Sequence, residues 1–159
     1  MRVGFGYDIH RLVPRRRLLV GGVQIPSELG EEGYSDGDVL IHALIDALLG
    51  PADMGDIGSN FPPGKEEYRD ISSRVLLRDT CMRLQSAGWK LENVDCVVVL
   101  ERPRILPHIA DIRRALSKDL GISVTRVTVK GKTNEGVDAT GEGRAVAAFA
   151  VSLLQEPHA

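Results

Sequence analysis

The chain has 159 residues, 43% of them apolar and 26% charged, with 20 basic and 22 acidic side chains and a formal net charge of −2. That length suits a single domain over residues 1–159 that buries roughly two thirds of its unfolded surface. Near-neutral charge, 4% aromatic content and no basic run beyond Arg15, Arg16 and Arg17 exclude a nucleic-acid partner. No apolar run reaches the roughly 18 residues of a membrane span, so no membrane partner is expected.

The amino terminus lacks a charged region followed by an apolar core, as a leader would have. Cys81 and Cys96 stand apart without Cys-x-x-Cys spacing, as reduced thiols of a cytoplasmic protein do.

In chain order, Val3, Phe5, Tyr7 and Ile9 alternate with Gly4, Gly6, Asp8 and His10, the two-residue period of a half-buried strand. Residues 17–20 and 23–25 form a hairpin around Gly21 and Gly22, and 26–33 read as an exposed loop. Ser35, Asp36 and Asp38 supply N-caps for a helix over 38–49, closed by Gly50 and Pro51. Residues 51–70, rich in glycine and proline, form a long loop.

Ser72 caps a second helix over 73–87, ended by Gly88. Residues 90–100 make a buried strand, 101–106 a loop, 107–120 a third helix and 124–132 a strand. Segment 144–154 is ambiguous, its alanines favouring helix and its Val146, Phe149 and Val151 favouring strand. The interleaving predicts an α+β (mixed α/β) domain with a mixed sheet and helices on one side.

Asp8 and His10 lie two apart on a strand and share a face, with the preceding glycines leaving space beside them. His42 lies inside the first long helix, and Asp46, four residues on, shares its face. One reading is a buried imidazole satisfied by Asp46. The other joins Asp8, His10 and His42 as three ligands with an open fourth position, the set expected of catalytic zinc. Asp46 would then accept the other ring N–H of His42. His108 and His158 look peripheral.

Gly4-Phe5-Gly6-Tyr7-Asp8-Ile9-His10, Ser35-Asp36-Gly37-Asp38 with His42 to Gly50, and Gly55-Asp56-Ile57-Gly58 with Phe61-Pro62 together resemble the 2-C-methyl-D-erythritol 2,4-cyclodiphosphate synthase family. Asn93-Val94-Asp95, Pro103 to Ile109, Lys130, Thr133 with Glu135, and Thr140-Gly141 extend the match in register to about Gly143. The resemblance implies a homotrimer around a central threefold axis, with active sites between subunits and a strand in the final segment. It also implies the non-mevalonate isoprenoid route. There 4-diphosphocytidyl-2-C-methyl-D-erythritol 2-phosphate cyclises and CMP leaves, the work of a phosphorus–oxygen lyase.

By the same resemblance zinc, or another divalent transition metal, falls on Asp8, His10 and His42. A Mg2+ or Mn2+ ion falls on Glu135 and the substrate diphosphate. Thr133 donates to phosphate oxygens as charge develops. Implied substrate contacts near the metal are Asp8, Ile9, His10, Tyr34 and Ser35, then Asp56, Ile57 and Gly58 for the erythritol part, with Phe61, Pro62, Pro63, Gly64 and Lys65 nearby. Leu100, Glu101, Arg102, Pro103, Arg104, Ile105 and Leu106 form the cytosine pocket, and Lys132, Thr133, Asn134 and Glu135 the phosphate side.

Some positions depart from the family. Tyr34 stands where histidine is common, in a position credited with transition-state stabilisation; a phenol with pKa near 10 offers one hydrogen bond and no cation. Pro63 and Gly64 replace an acidic and a hydroxyl residue, and Lys132 replaces threonine. Ala139 and Glu142 replace a Phe and an Arg often found at the trimer's central cavity. Two other functions stay open: the ligand set permits a zinc-dependent phosphohydrolase, and the change at position 34 an inactive trimeric nucleotide-binding protein.

Overall fold

In the computed structural model, which describes residues 1–157, the chain forms β1 (Arg2–Pro14), β2 (Leu18–Val20), β3 (Val23–Ile25), β4 (Leu29–Glu31), α1 (Val39–Leu49), α2 (Ile57–Asn60), α3 (Ser73–Ser86), β5 (Lys90–Val99), α4 (Ile109–Leu120), β6 (Val127–Lys132), α5 (Asp138–Gly141) and β7 (Ala145–Gln155). A five-stranded sheet runs β4-β1-β7-β5-β6, and β2 pairs with β3 in a separate hairpin. Within the large sheet only β5 and β6 are parallel, so the sheet is mixed. His158 lies outside the described residues.

Helix α1 lies across β1 and β7, α3 packs on α1, and α4 packs beside β6. The long central helix is apolar on nearly every side, and all its residues but Asp46 are buried. Its contact with the sheet is unusually close because the facing positions are small. A Cβ on Gly4 would lie 1.8 Å from the Ala47 carbonyl oxygen, and one on Gly6 would lie 1.9 Å from that of Ala43. Opposite these glycines β7 presents Ser152 and Ala150, and the Ser152 hydroxyl donates to the Ala47 carbonyl at 2.6 Å. The alanines of β7 therefore serve helix packing while the segment itself is a strand, as the family resemblance implies.

This packing corrects the sequence reading of β1 in one respect. The backbone of α1 fills the space at Gly4 and Gly6, so the gap beside Asp8 and His10 lies further along the strand, and the apolar row Val3, Phe5, Tyr7 and Ile9 points away from the helices and is exposed.

Local differences have physical causes. Residues 26–33, expected as an exposed loop, contain β4, paired with the end of β1 and carrying the wholly buried Glu31. That carboxylate accepts from the N–H groups of Leu19 and Val39. Asp38 caps α1 as expected, and also accepts from Gly21 and Gly22, tying the hairpin to the helix. Ser72 makes no side-chain cap; Asp36 accepts the Ser73 N–H instead, at 3.0 Å. The loop over 51–70 contains α2 and two 3-10 turns, one at its start (Gly50–Ala52) and one over Glu66–Tyr68. Residues 124–126 form another such turn before β6 begins.

Candidate metal centre

Strand β1 and helix α1 bring Asp8, His10 and His42 to one point. Asp8 Oδ2 lies 2.9 Å from His10 Nε2 and 3.0 Å from His42 Nδ1. The two ring nitrogens are 3.3 Å apart. A tetrahedral ion with bonds of about 2.0–2.1 Å spaces its donors by roughly 3.3 Å, so this donor set fits a divalent cation. The rings are largely buried and His10 Nδ1 has no protein partner. Burial alone would raise the Asp8 pKa, but hydrogen bonds and charge from His10 and His42 hold it well below the usual carboxylate range.

Asp46 does not orient His42. Its carboxylate accepts the Ile57 N–H at 2.7 Å and so fixes the start of α2, whose N-cap, Asp56, forms a capping box with Ser59. Residues i and i+4 share a helix face, but the His42 ring turns its Nε2 toward α3. There Nε2 meets Ser73 Oγ at 2.9 Å and Ser35 Oγ at 3.1 Å, and the Ser73 hydroxyl donates to Asp36 at 2.5 Å. Sequence reasoning missed Ser73 and the role of Asp36 toward it. The two lie 37 residues apart, and neither belongs to a periodic pattern that would pair them.

The triad opens into a cavity of about 290 Å³ that Tyr34, Ile57, Gly58, Phe61, Pro63 and Tyr68 also line. Tyr34 donates its hydroxyl to the Lys65 carbonyl at 2.9 Å, and the Arg69 guanidinium lies over its ring. Pro62, Gly64 and Lys65, in the same segment, are not among the residues lining this cavity. Ile9, on the opposite face of β1 from the ligands, points away from this cavity.

Leu100, Arg104, Ile105, Leu106, Lys132, Thr133 and Glu135 line a different cavity of about 570 Å³. Thr133 donates to the Glu135 carboxylate at 2.9 Å. The Asn134 amide, expected toward substrate, donates instead to Asp138 and Thr140. Glu101, Arg102 and Pro103 line a third cavity beside Glu142 and Gly143. Within one chain the metal cavity and the Thr133 cavity share no residue.

A mixed-sheet domain with an Asp/His/His cation pocket opening on a largely apolar cleft defines a class of metal-dependent small-molecule enzymes. The model of the YgbB family matches residues 1–155, and the chain belongs to that family. It is 53% identical over 156 residues to the 2-C-methyl-D-erythritol 2,4-cyclodiphosphate synthase of Gloeobacter violaceus, covering 98% of this chain and 96% of that one. To the synthase of Treponema denticola it is 48% identical, covering 97% and 96%.

Among solved structures, a 2C-methyl-D-erythritol-2,4-cyclodiphosphate synthase in its CDP-bound form superposes with TM-score 0.89 at 38% identity, covering 97% of this chain and all of that one. The bifunctional IspDF of Campylobacter jejuni superposes with TM-score 0.93 at 31% identity; 98% of this chain corresponds to 42% of that longer one. No helix among the described residues is long and apolar enough to cross a membrane.

Proposed function

We propose that this chain cyclises 4-diphosphocytidyl-2-C-methyl-D-erythritol 2-phosphate to the 2,4-cyclodiphosphate with release of CMP, as a phosphorus–oxygen lyase acting in the cytoplasm. The convergence of Asp8, His10 and His42 within hydrogen-bonding distance, in a chain 53% identical to a named synthase, carries this reading.

The substrate brings its own nucleophile, since an oxygen of the 2-phosphate attacks the β-phosphorus and CMP departs. Catalysis is then positioning and charge neutralisation. When bound, a zinc or similar ion at Asp8, His10 and His42, and a Mg2+ or Mn2+ ion at Glu135, supply charge opposite the phosphate oxygens. The chain's own groups do the rest. Thr133 donates to a phosphate oxygen once released from Glu135, and Lys132 and Arg104 lie on the same cavity wall as cations. The Asp46 contact with Ile57 holds the 56–58 turn where the erythritol hydroxyls would sit. Backbone groups of 100–106 would read the cytosine ring. Tyr34, once its hydroxyl leaves the Lys65 carbonyl, supplies one hydrogen bond in place of a cation.

The two half-sites line separate cavities of one chain, which supports a site completed between copies. The bare sheet face supports the same reading. Phe5, Tyr7 and Phe149 cluster there, with ring centroids 6.4 and 4.9 Å from Phe149, and Phe5 is 64% exposed. A homotrimer that covers this face would place the Thr133 side of one copy against the metal side of the next.

Phosphorus NMR of the product tests the proposal: a cyclic diphosphate with free CMP is expected. Free inorganic phosphate would show a phosphohydrolase, and CDP binding without turnover an inactive nucleotide-binding protein. Full activity after thorough chelation would overturn the metal-dependent mechanism.

A further inference from the structure

We propose that Ser73 and Asp36 form a positioning pair for His42, fixing its ring with Nε2–H outward and the Nδ1 lone pair toward Asp8 and His10. The inference rests on the metal-site reading above and adds the groups that orient one ligand. The Ser73 side chain lies within 3.0 Å of both its neighbours in the chain of contacts, His42 Nε2 at 2.9 Å and Asp36 Oδ1 at 2.5 Å. Its single hydroxyl proton goes to Asp36, so its oxygen can only accept from the imidazole. His42 must therefore carry its proton on Nε2, which leaves Nδ1 free to ligate.

Asp36 is itself held by construction. Its second carboxylate oxygen accepts the Ser73 N–H at 3.0 Å, its own N–H donates to the Ile71 carbonyl, and Ser73 is wholly buried at the first turn of α3. One carboxylate thus caps α3 and sets the direction of the Ser73 hydroxyl. Ser35 Oγ, 3.1 Å from the same Nε2 against 2.9 Å for Ser73, accepts the Gly37 N–H and has Ser73 Oγ at 3.4 Å to receive its own proton, which keeps it an acceptor toward the imidazole. Partners that fix a ligating imidazole in this way typically change metal affinity by about 10–100-fold when removed.

The test measures zinc affinity of the full chain by competition with a chromogenic chelator, with thermal melts of the zinc-free form checking that each variant folds. Ser73→Ala should bind zinc about 10–100-fold more weakly. Asp36→Asn keeps an acceptor for the α3 cap but its amide can donate to Ser73, freeing the hydroxyl to donate to His42 and favouring the wrong tautomer. It should lose affinity too, by a factor of about 10. A readout on the native zinc-loaded chain needs no variant: proton NMR should show a slowly exchanging imidazole N–H at His42 Nε2, and Ser73→Ala should speed its exchange. Zinc affinity within twofold of native in both folded variants, or no protected His42 N–H in the native protein, would overturn the pair. Native protein that takes up no zinc would instead overturn the metal-site reading on which it rests.

Discussion

The two faces of β1 obey opposite rules. Toward α1 the strand presents Gly4, Gly6, Asp8 and His10, and the helix backbone comes close enough that a methyl group at either glycine would overlap a carbonyl oxygen. Away from α1 it presents Val3, Phe5, Tyr7 and Ile9, which find neighbours only along the sheet, as Phe5 and Tyr7 do with Phe149. Alternation in a sequence shows that two faces differ, but not which one is inside. Here the face poor in apolar atoms is the buried one. Its closeness to α1 brings the two ligands on the strand within about 3 Å of the one on the helix. The face rich in apolar atoms stays exposed in the single chain.

The largest effect should come from the ligand that joins the two elements. His42→Ala leaves Asp8 and His10 without their helix partner, so the chain should lose tightly bound zinc and turnover should fall by more than about a thousandfold. That factor corresponds to roughly 4 kcal/mol of lost transition-state stabilisation. Zinc content by elemental analysis and CMP release together check it; zinc retained at native stoichiometry would break the assignment of His42.

Next come paired substitutions that set the two faces against each other. Gly6→Ala puts a Cβ into the Ala43 carbonyl, a backbone contact that cannot rotate aside, and should destabilise the fold by about 3 kcal/mol or more. Phe5→Ala, one residue away on the bare face, should change the stability of an isolated chain by less than about 1 kcal/mol. In light scattering Phe5→Asp should reduce the mass to that of a single chain and abolish turnover with the metal site intact. Equal melting shifts for Gly6→Ala and Phe5→Ala would mean that the faces do not differ as described.

Much of this arrangement was legible in the sequence. The strand and helix carrying the ligands, Asp38 as N-cap, and the ends of α3 and α4 at Gly88 and Gly121 follow from period and cap chemistry. The triad was legible as residue types, since a strand pair two apart and a helix histidine suffice to suggest it. The partners of His42 were not. Helical spacing pointed to Asp46, but the ring turns on its χ angles toward Ser73, and the groups that settle its direction come from α3 and the loop before α1. Such polar contacts depend on tertiary approach and leave no period. Strand β4 was hidden for a related reason: three residues around the buried acidic Glu31 look like a polar loop until its two backbone donors are seen.

The smallest prediction concerns those buried carboxylates, which lie apart from the triad and load the fold with charge. Burial raises the Asp38 pKa from 3.8 to about 6 against the hydrogen bonds from Gly22 and Ile41, and burial likewise raises Glu31 well above its ordinary value, with Asp38 adding to it. A folded state with the higher pKa binds more protons than the unfolded chain between the two values. The Asp38 contribution therefore falls as pH rises from about 4 to about 6, and is constant above that. Asp8 has the opposite sign and acts only below about 4, since its folded pKa is depressed. Melting of the zinc-free chain should thus drop between pH 4 and pH 6. In Asp38→Asn that part of the slope should vanish, while the whole curve moves down by about 1 kcal/mol because the amide confronts the Gly22 N–H in place of an acceptor. An unchanged slope in the variant would assign the pH dependence to the other carboxyls that burial raises, Glu31 and Asp46.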